Sequence, residues 1–227
     1  MKVKLGAIIT DASGKLGGHS IGRGTHSHYL RAKGASNGSR SVFKQVVRVS
    51  FLSLCKMWRE LTEQQRISWH NAVELWRNTD IFGDMRYPSG FALFMRCNMR
   101  ILEAEGTAIL SPAPPVHLNL PTNFTFGSSV GSQLFLNTWG GGAVPANVAW
   151  VVRMTRPLPR RLGYIKKYLR KQFVWQSGVN TPQFYNNGYT ARYGRFALNS
   201  RIGLEMFAVS LTSGSKSQSI FININAT

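Results

Sequence analysis

Apolar residues recur at intervals of three and four from Phe43 through Val46, Val47, Phe51 and Leu54 to Trp58. That is the period of one helical face, and it predicts an amphipathic helix over residues 42–60. Thr62 is followed three residues later by Gln65. This is a capping-box signature, in which the hydroxyl takes an orphan backbone N–H and the amide side chain returns to the cap. A second helix is expected over 63–77, with Ile67, Trp69, Ala72, Val73 and Trp76 along its stripe. Residues 78–85 read as a loop around Gly83. Pro88-Ser89 opens a third helix, with Phe91, Phe94, Met95, Met99 and Leu102 inward and Gly106 as its C′ residue. The spacing places Trp58, Trp69 and Trp76 in a core. Residues 42–110 are therefore predicted to form a small three-helix domain.

Ser111-Pro112-Ala113-Pro114-Pro115 is stiff and polyproline-like, and residues 111–116 are expected to act as a linker. Beyond it the period changes. Short alternating runs at 123–126, 133–139, 147–155, 167–176, 189–193, 202–211 and 219–225 are separated by Gly, Asn, Pro and Ser. They predict an antiparallel β-sandwich over 117–227, immunoglobulin-like, with Trp150 as its candidate core tryptophan and no inter-sheet disulfide. Residues 1–41 contain eight glycines and no sustained apolar period. Glycine costs about 1 kcal/mol per helical position. This segment is expected to be a basic extended arm, either flexible or held by a neighbour. The fold class expected is α+β: arm, helical domain, sandwich.

Charge sharpens the picture. The net charge is +19, carried by the two ends. Residues 1–40 hold seven Lys/Arg and one acid, and residues 112–227 hold twelve and one; residues 41–111 hold nine basic and seven acidic residues. Cationic segments around a balanced middle point to a polyanion or an acidic protein lattice as partner, not to a small-molecule enzyme. An apolar fraction of 43% is ample for a core. Cys55 and Cys97 are too few for a disulfide framework and are expected to be buried thiols. No apolar run approaches the roughly 20 residues that cross a bilayer, so no membrane partner is expected. Residues 1–9 faintly resemble a signal peptide, but Asp11 and Lys15 interrupt the apolar stretch, so no targeting segment is expected and synthesis is placed in the host cytoplasm.

Candidate chemistry adds little. Gly14-Lys15 is followed by Leu16, where a phosphate-binding loop needs Ser or Thr. His19, His26 and His28 lack a supporting Cys or carboxylate set. Glu60 and Glu63 border the capping box, and no nucleophile elbow appears. No catalytic, cofactor or metal site is expected. The basic residues are more telling: Arg153, Arg156, Arg160, Arg161, Lys166, Lys167, Arg170 and Lys171 lie close together, with Tyr164, Tyr168, Phe173 and Trp175 interleaved. One reading is a charged strand edge that resists aggregation. The other is contact with phosphate or acidic neighbours, with aromatic rings available to bases. In the arm, Lys15, Arg23, Tyr29, Arg31 and Lys33 are the candidate assembly contacts. Trp139, before Gly140-Gly141-Gly142, is a candidate exposed interface aromatic.

Three stretches carry a resemblance. They are Ser13-Gly14-Lys15-Leu16-Gly17-Gly18 with Tyr29-Leu30-Arg31, Gln45 and Arg48; the helical set Trp58, Leu61-Thr62, Gln65-Arg66, Trp69 and Ala72 with Gly83, Ser89-Gly90-Phe91, Phe94 and Asn98; and Tyr189-Thr190-Ala191-Arg192-Tyr193-Gly194. Together they resemble a family of proteins encoded by phages and prophages of Bacteroidota. The resemblance implies a virion-associated structural protein. The expected role is a subunit of the connector, a tail ring or the inner capsid region, with copies of itself, other virion proteins and DNA as partners. A non-virion nucleic-acid-binding protein is the alternative. A secreted adhesion module is opposed by a pI near 10.8.

Overall fold

A computed structural model of the chain describes residues 2–3, 12–23, 28–32, 41–119, 124–129, 133–139, 145–159, 161–162, 165–176, 186–194 and 200–225. Helices and antiparallel sheets combine in an α+β arrangement of two compact units, Met1–Gln45 and Val46–Thr227.

The first unit differs from the expected arm. Strands β1 (Lys2–Val3), β2 (Gly14–Leu16), β3 (His19–Arg23) and β4 (His28–Ala32) form an antiparallel sheet in the order β1-β4-β3-β2. They are held by one another. Glycine makes this possible in two places. Leu16 pairs with His19 across a two-residue turn in which Gly17 takes φ 53°. Gly22 faces Tyr29 across the strands, and a Cβ there would lie 2.4 Å from the phenol ring. The ring lies over bare backbone, a device that compensates glycine in a strand.

α1 (Val42–Glu60) and α2 (Glu63–Asn71) meet at the expected capping box. Gln65 N–H donates to Thr62 Oγ1 at 3.3 Å, and Thr62 N–H donates to Gln65 Oε1 at 3.0 Å. The second helix is shorter than predicted and tightens into a 3-10 segment, Ala72–Trp76. The expected loop is a small hairpin of β5 (Asn78–Thr79) and β6 (Met85–Arg86). Asp80 organises its turn: Oδ1 accepts from the amides of Phe82 at 2.8 Å and Asp84 at 3.1 Å, and Oδ2 from Arg86 Nε at 3.1 Å. Ser89 Oγ then accepts from Ala92 N–H at 3.2 Å and opens α3 (Gly90–Glu103).

The close of α3 corrects one expectation. Glu105, not Gly106, takes the left-handed C′ position at φ 59°. Glu105 N–H bonds Leu102 O and Gly106 N–H bonds Ile101 O, the double bond of a Schellman motif. Gly106 is required for a different reason: a Cβ there would lie 2.8 Å from Ile101 and 2.9 Å from Leu211. Leu54, Leu61, Trp69, Trp76, Leu93, Phe94, Met95 and Cys97 form the helical core. Trp69 meets Phe94 edge-on at 5.3 Å, and its Nε1 donates to Leu110 O at 2.8 Å.

The C-terminal sheet contains β9 (Val148–Met154), β10 (Leu158–Pro159), β11 (Arg170–Gln176), β12 (Ser200–Ser210) and β13 (Ile220–Asn225). Its order is β10-β12-β9-β11, with β13 also on β12. β7 (Phe124–Ser129) and β8 (Gln133–Trp139) form a separate hairpin. Both faces of β12 are buried. Ile202, Leu204, Met206 and Ala208 join Trp150, Val152, Met154 and Trp175 under Tyr189 of α4 (Asn186–Tyr193). Phe207 and Val209 join Ala149 and Val151 against Ala104 at the end of α3.

α4 replaces the strand predicted over 189–193. Tyr189, Ala191 and Tyr193 alternate, but over five residues a spacing of four fits a helix equally well. The two tyrosine rings lie 4.9 Å apart, the Tyr189 hydroxyl donates to Thr155 O at 2.8 Å, and Gly194 ends the helix at φ 79°. A 3-10 turn over Lys166–Tyr168 takes the first residues of the strand expected over 167–176, so β11 begins only at Arg170. The Pro-rich stretch is fastened to the sheet unit: Val116 N–H donates to Ser215 Oγ at 2.9 Å, and Leu118 packs on the sheet core. Among the described residues no helix is long and apolar enough to cross a membrane.

Candidate nucleic-acid interface

The basic cluster divides into two populations. Arg153, on β9, points its guanidinium at α3. Nε and Nη2 each donate to a Glu103 carboxylate oxygen at 2.7 Å, and Nη1 donates to Glu205 Oε2 at 3.1 Å. The guanidinium also lies 4.8 Å from the centre of the Phe207 ring. Burial alone would lower its pKa, but Glu103 and then Glu205 outweigh burial and raise it. Lys216 lies 3.9 Å from Glu205 and 3.8 Å from the Phe207 ring centre. Its ammonium pKa is drawn down by burial, against the pull of Glu205. These charges are used inside the molecule, and Arg153 leaves the set of candidate partner contacts. Lys171 is intermediate: its Nζ reaches Glu105 at 2.9 Å in an exposed pair, an interaction worth about 0–1 kcal/mol.

The second population is exposed. Arg156, Arg161, Lys166, Lys167 and Arg170 lie in or beside the connection from β10 to β11. That connection is anchored by Ile165, whose side chain is buried in the space left by Gly203; a Cβ on Gly203 would lie 2.5 Å from Ile165 Cδ1. The 3-10 turn that follows presents Lys166 and Lys167 on consecutive positions. Tyr168 gathers the charges. Lys167 Nζ stands 4.9 Å and the Arg156 guanidinium 5.8 Å from its ring centre. Lys166 stands 5.4 Å from the Phe221 ring of β13. Arg170 donates to the carbonyls of Lys167 and Leu169, which keeps its charge beside the turn. Arg160 lies outside the described residues.

No acidic residue occurs between Glu105 and Glu205 in the sequence. The carboxylates that flank this stretch in sequence, Glu103, Glu105 and Glu205, already have cationic partners. Arg156 and Lys167 therefore flank Tyr168, and with the exposed Lys166 and Arg161 they make a stretch of one sign, chemically suited to phosphates along a backbone and to a stacked ring. Arg192, named from sequence only within the Tyr189–Gly194 motif and not as a contact residue, donates to Lys171 O and Gln172 Oε1 beside this stretch. No sequence signal marked this, because Arg192 meets residues 21 and 20 positions away only through the fold.

The arm candidates sort by sheet face. Lys15, Ser20 and Arg31 form one cross-strand row, with Gly22 and Tyr29 two residues along on the same face. Arg31 Nε donates to Ser20 Oγ at 3.3 Å. Lys15, Tyr29 and Arg31 are thus brought together, while Arg23 lies on the opposite face beside His28. Lys33, and the side chain of Trp139, lie outside what is described. Among the described residues, no three His, Cys, Asp or Glu side chains converge as metal ligands.

No known protein family, curated protein or solved structure matches this chain.

Proposed function

We propose that the protein is a structural subunit of a phage virion, seated in the connector, a tail ring or the inner capsid region, and that the surface around Tyr168 meets DNA. The observation that carries the DNA contact is the exposed set Arg156, Arg161, Lys166 and Lys167, in a stretch of chain with no acidic residue. Such a surface repels itself until a polyanion neutralises it. Support for the virion assignment comes from the resemblance carried by the Gly-rich, helical and Tyr189–Gly194 motifs. The role is non-catalytic: the subunit binds DNA through phosphates and neighbours through protein faces.

The assignment of residues 117–227 to an immunoglobulin-like sandwich belongs to the same proposal. Among the described residues β7 and β8 pair only with each other, apart from the five-stranded sheet, which supports a second layer starting from that hairpin. An experimental structure with that hairpin detached from the sheet would reject the sandwich.

The test is peptide mass spectrometry of gradient-purified particles from cells producing the phage. The chain should co-purify with particles at a fixed ratio to the major capsid protein. Its absence from particles, with DNA binding retained, would sink the virion reading and favour the non-virion nucleic-acid-binding protein.

A further inference from the structure

The sheet of the first unit has a face that DNA contact around Tyr168 leaves unused. Register puts Lys15, Ser20 and Arg31 in one row across β2, β3 and β4, with Tyr29 two residues along β4 on the same face. Lys15, Tyr29 and Arg31 are exposed. Ile21 and Leu30 pair on the opposite face and are half-buried, so the apolar pair and the cationic row fall on different sides of the sheet. Residues 1–45 hold eight Lys/Arg against one acid, Asp11.

Tyr29 is seated as a platform. Its ring lies over Gly22, where a Cβ would stand 2.4 Å from Cζ and from the hydroxyl oxygen. Backbone therefore covers one side of the ring, while the residue stays 39% exposed. A ring held this way turns its other side to solvent and loses little freedom when something stacks on it. Arg31 Nε donates to Ser20 Oγ at 3.3 Å, which holds the guanidinium along the row. The spacing suits a nucleotide. Two residues along a strand span about 6.8 Å, comparable to the reach from a base to its own phosphate, and Lys15 and Arg31 stand two strand spacings apart, about 9.6 Å.

We propose that this face binds single-stranded nucleic acid, with a base stacked on Tyr29 and phosphates at Arg31 and Lys15. Exposed rings beside backbone-tracking cations are how single strands are held without reading their sequence. A duplex keeps its bases paired and stacked inside, so it has none to offer an exposed ring unless one is flipped out. An acidic protein surface would satisfy the two cations and leave the open ring unused, whereas a nucleotide supplies both a π-face and a phosphate. The inference is independent of the virion reading and of the Tyr168 surface, which belongs to the other unit.

The test uses the full-length chain carrying Arg156, Arg161, Lys166 and Lys167→Gln, so that contact around Tyr168 is removed. Fluorescence anisotropy follows its binding to short oligothymidylate, to oligouridylate and to a duplex of the same length. This parent should still bind single strands, and more tightly than duplex. Adding Tyr29→Leu, which keeps an apolar cover over Gly22 but removes the flat ring, should weaken single-strand binding at least about fivefold and leave duplex binding alone. Tyr29→Phe should bind like the parent. Adding Lys15→Gln and Arg31→Gln instead should flatten the single-strand salt slope by up to about 1.4 units, at about 0.7 per phosphate. Binding to both oligonucleotides or to one supports the inference, and a preference names the strand as DNA or RNA. Far-UV circular dichroism checks the sheet; if Tyr29→Leu loosens it, the salt slope of the Lys15, Arg31 variant decides. A wild type that binds no single strand overturns the inference. So does a parent that has lost single strands while wild type keeps them, which would leave the Tyr168 contact standing. Tyr29→Leu that binds like its parent, or that loses duplex equally, also overturns it. If the variants keep single-strand binding but fail to enter particles, the face is a protein contact instead.

Discussion

Gly214 sits where the turn after β12 presses against α3. It takes φ 70°, and a Cβ there would lie 2.6 Å from Cys97 Cα and 2.7 Å from Cys97 O. Arg100 Nη1 donates to Gly214 O at 3.2 Å and fixes the approach. The obstacle is helix backbone, which cannot swing aside. Gly214→Ala therefore combines a left-handed alanine with an overpacked contact, and is expected to cost about 2–5 kcal/mol in urea unfolding. The residue beneath it gives a pH signature. Burial pushes the Cys97 thiol up to about 11 from 9.0, with Arg96 and Arg100 opposing weakly. In the unfolded chain the thiol ionises first, so the native state holds the extra proton between those values. This contribution to stability is present below pH 9 and lost as pH rises toward 11, by about 2–3 kcal/mol. Tyr189 is also raised, by burial and by Tyr193, and adds the same sign above pH 10. Comparing wild type with Cys97→Ala across pH 8–11 cancels the tyrosine; the wild type should lose more stability than the variant.

At the scale of elements, Trp69 connects α2 to the segment after α3 through ring packing and the bond to Leu110 O. Trp69→Ala is expected to cost about 3–5 kcal/mol, read from the melting transition, because a buried ring and a satisfied N–H are lost together. Helix periods and the capping box were legible in the sequence because both are local. The β8 strand over 133–139 was legible for the same reason. The segment over 189–193 was not, since five residues do not separate the two periods and α4 is selected by burial of Tyr189 against the sheet. The first unit was legible only as extended chain, flexible or held by a neighbour; that its strands pair with one another was not, because Gly17 and Gly22, which permit the sheet, carry no periodic signal. Periodicity in α1 marked its apolar face, and Trp58 on it packs against the helical core as expected; a period reports which face is apolar and is silent about what covers the rest of it.

Across the whole molecule, the net charge was legible and its division was not. Arg153 and Glu103 are fifty residues apart and meet only because β9 packs beside the end of α3. Register then sets Glu205 directly across from Arg153 on β12. The lone acid of the last 116 residues is thereby engaged, and Arg156, Arg161, Lys166 and Lys167 stay exposed in a stretch without acids. The most direct measurement is duplex DNA affinity against salt for wild type, for the Arg156, Arg161, Lys166, Lys167→Gln variant, and for Arg153→Gln. Each neutralised phosphate contributes about −0.9 to the slope of log K on log salt. The fourfold variant should lose up to roughly 3–4 units of slope while melting like wild type, whereas Arg153→Gln should lower stability and leave the slope unchanged. A fourfold variant with the wild-type slope, or an Arg153→Gln chain that loses slope without losing stability, would contradict the account.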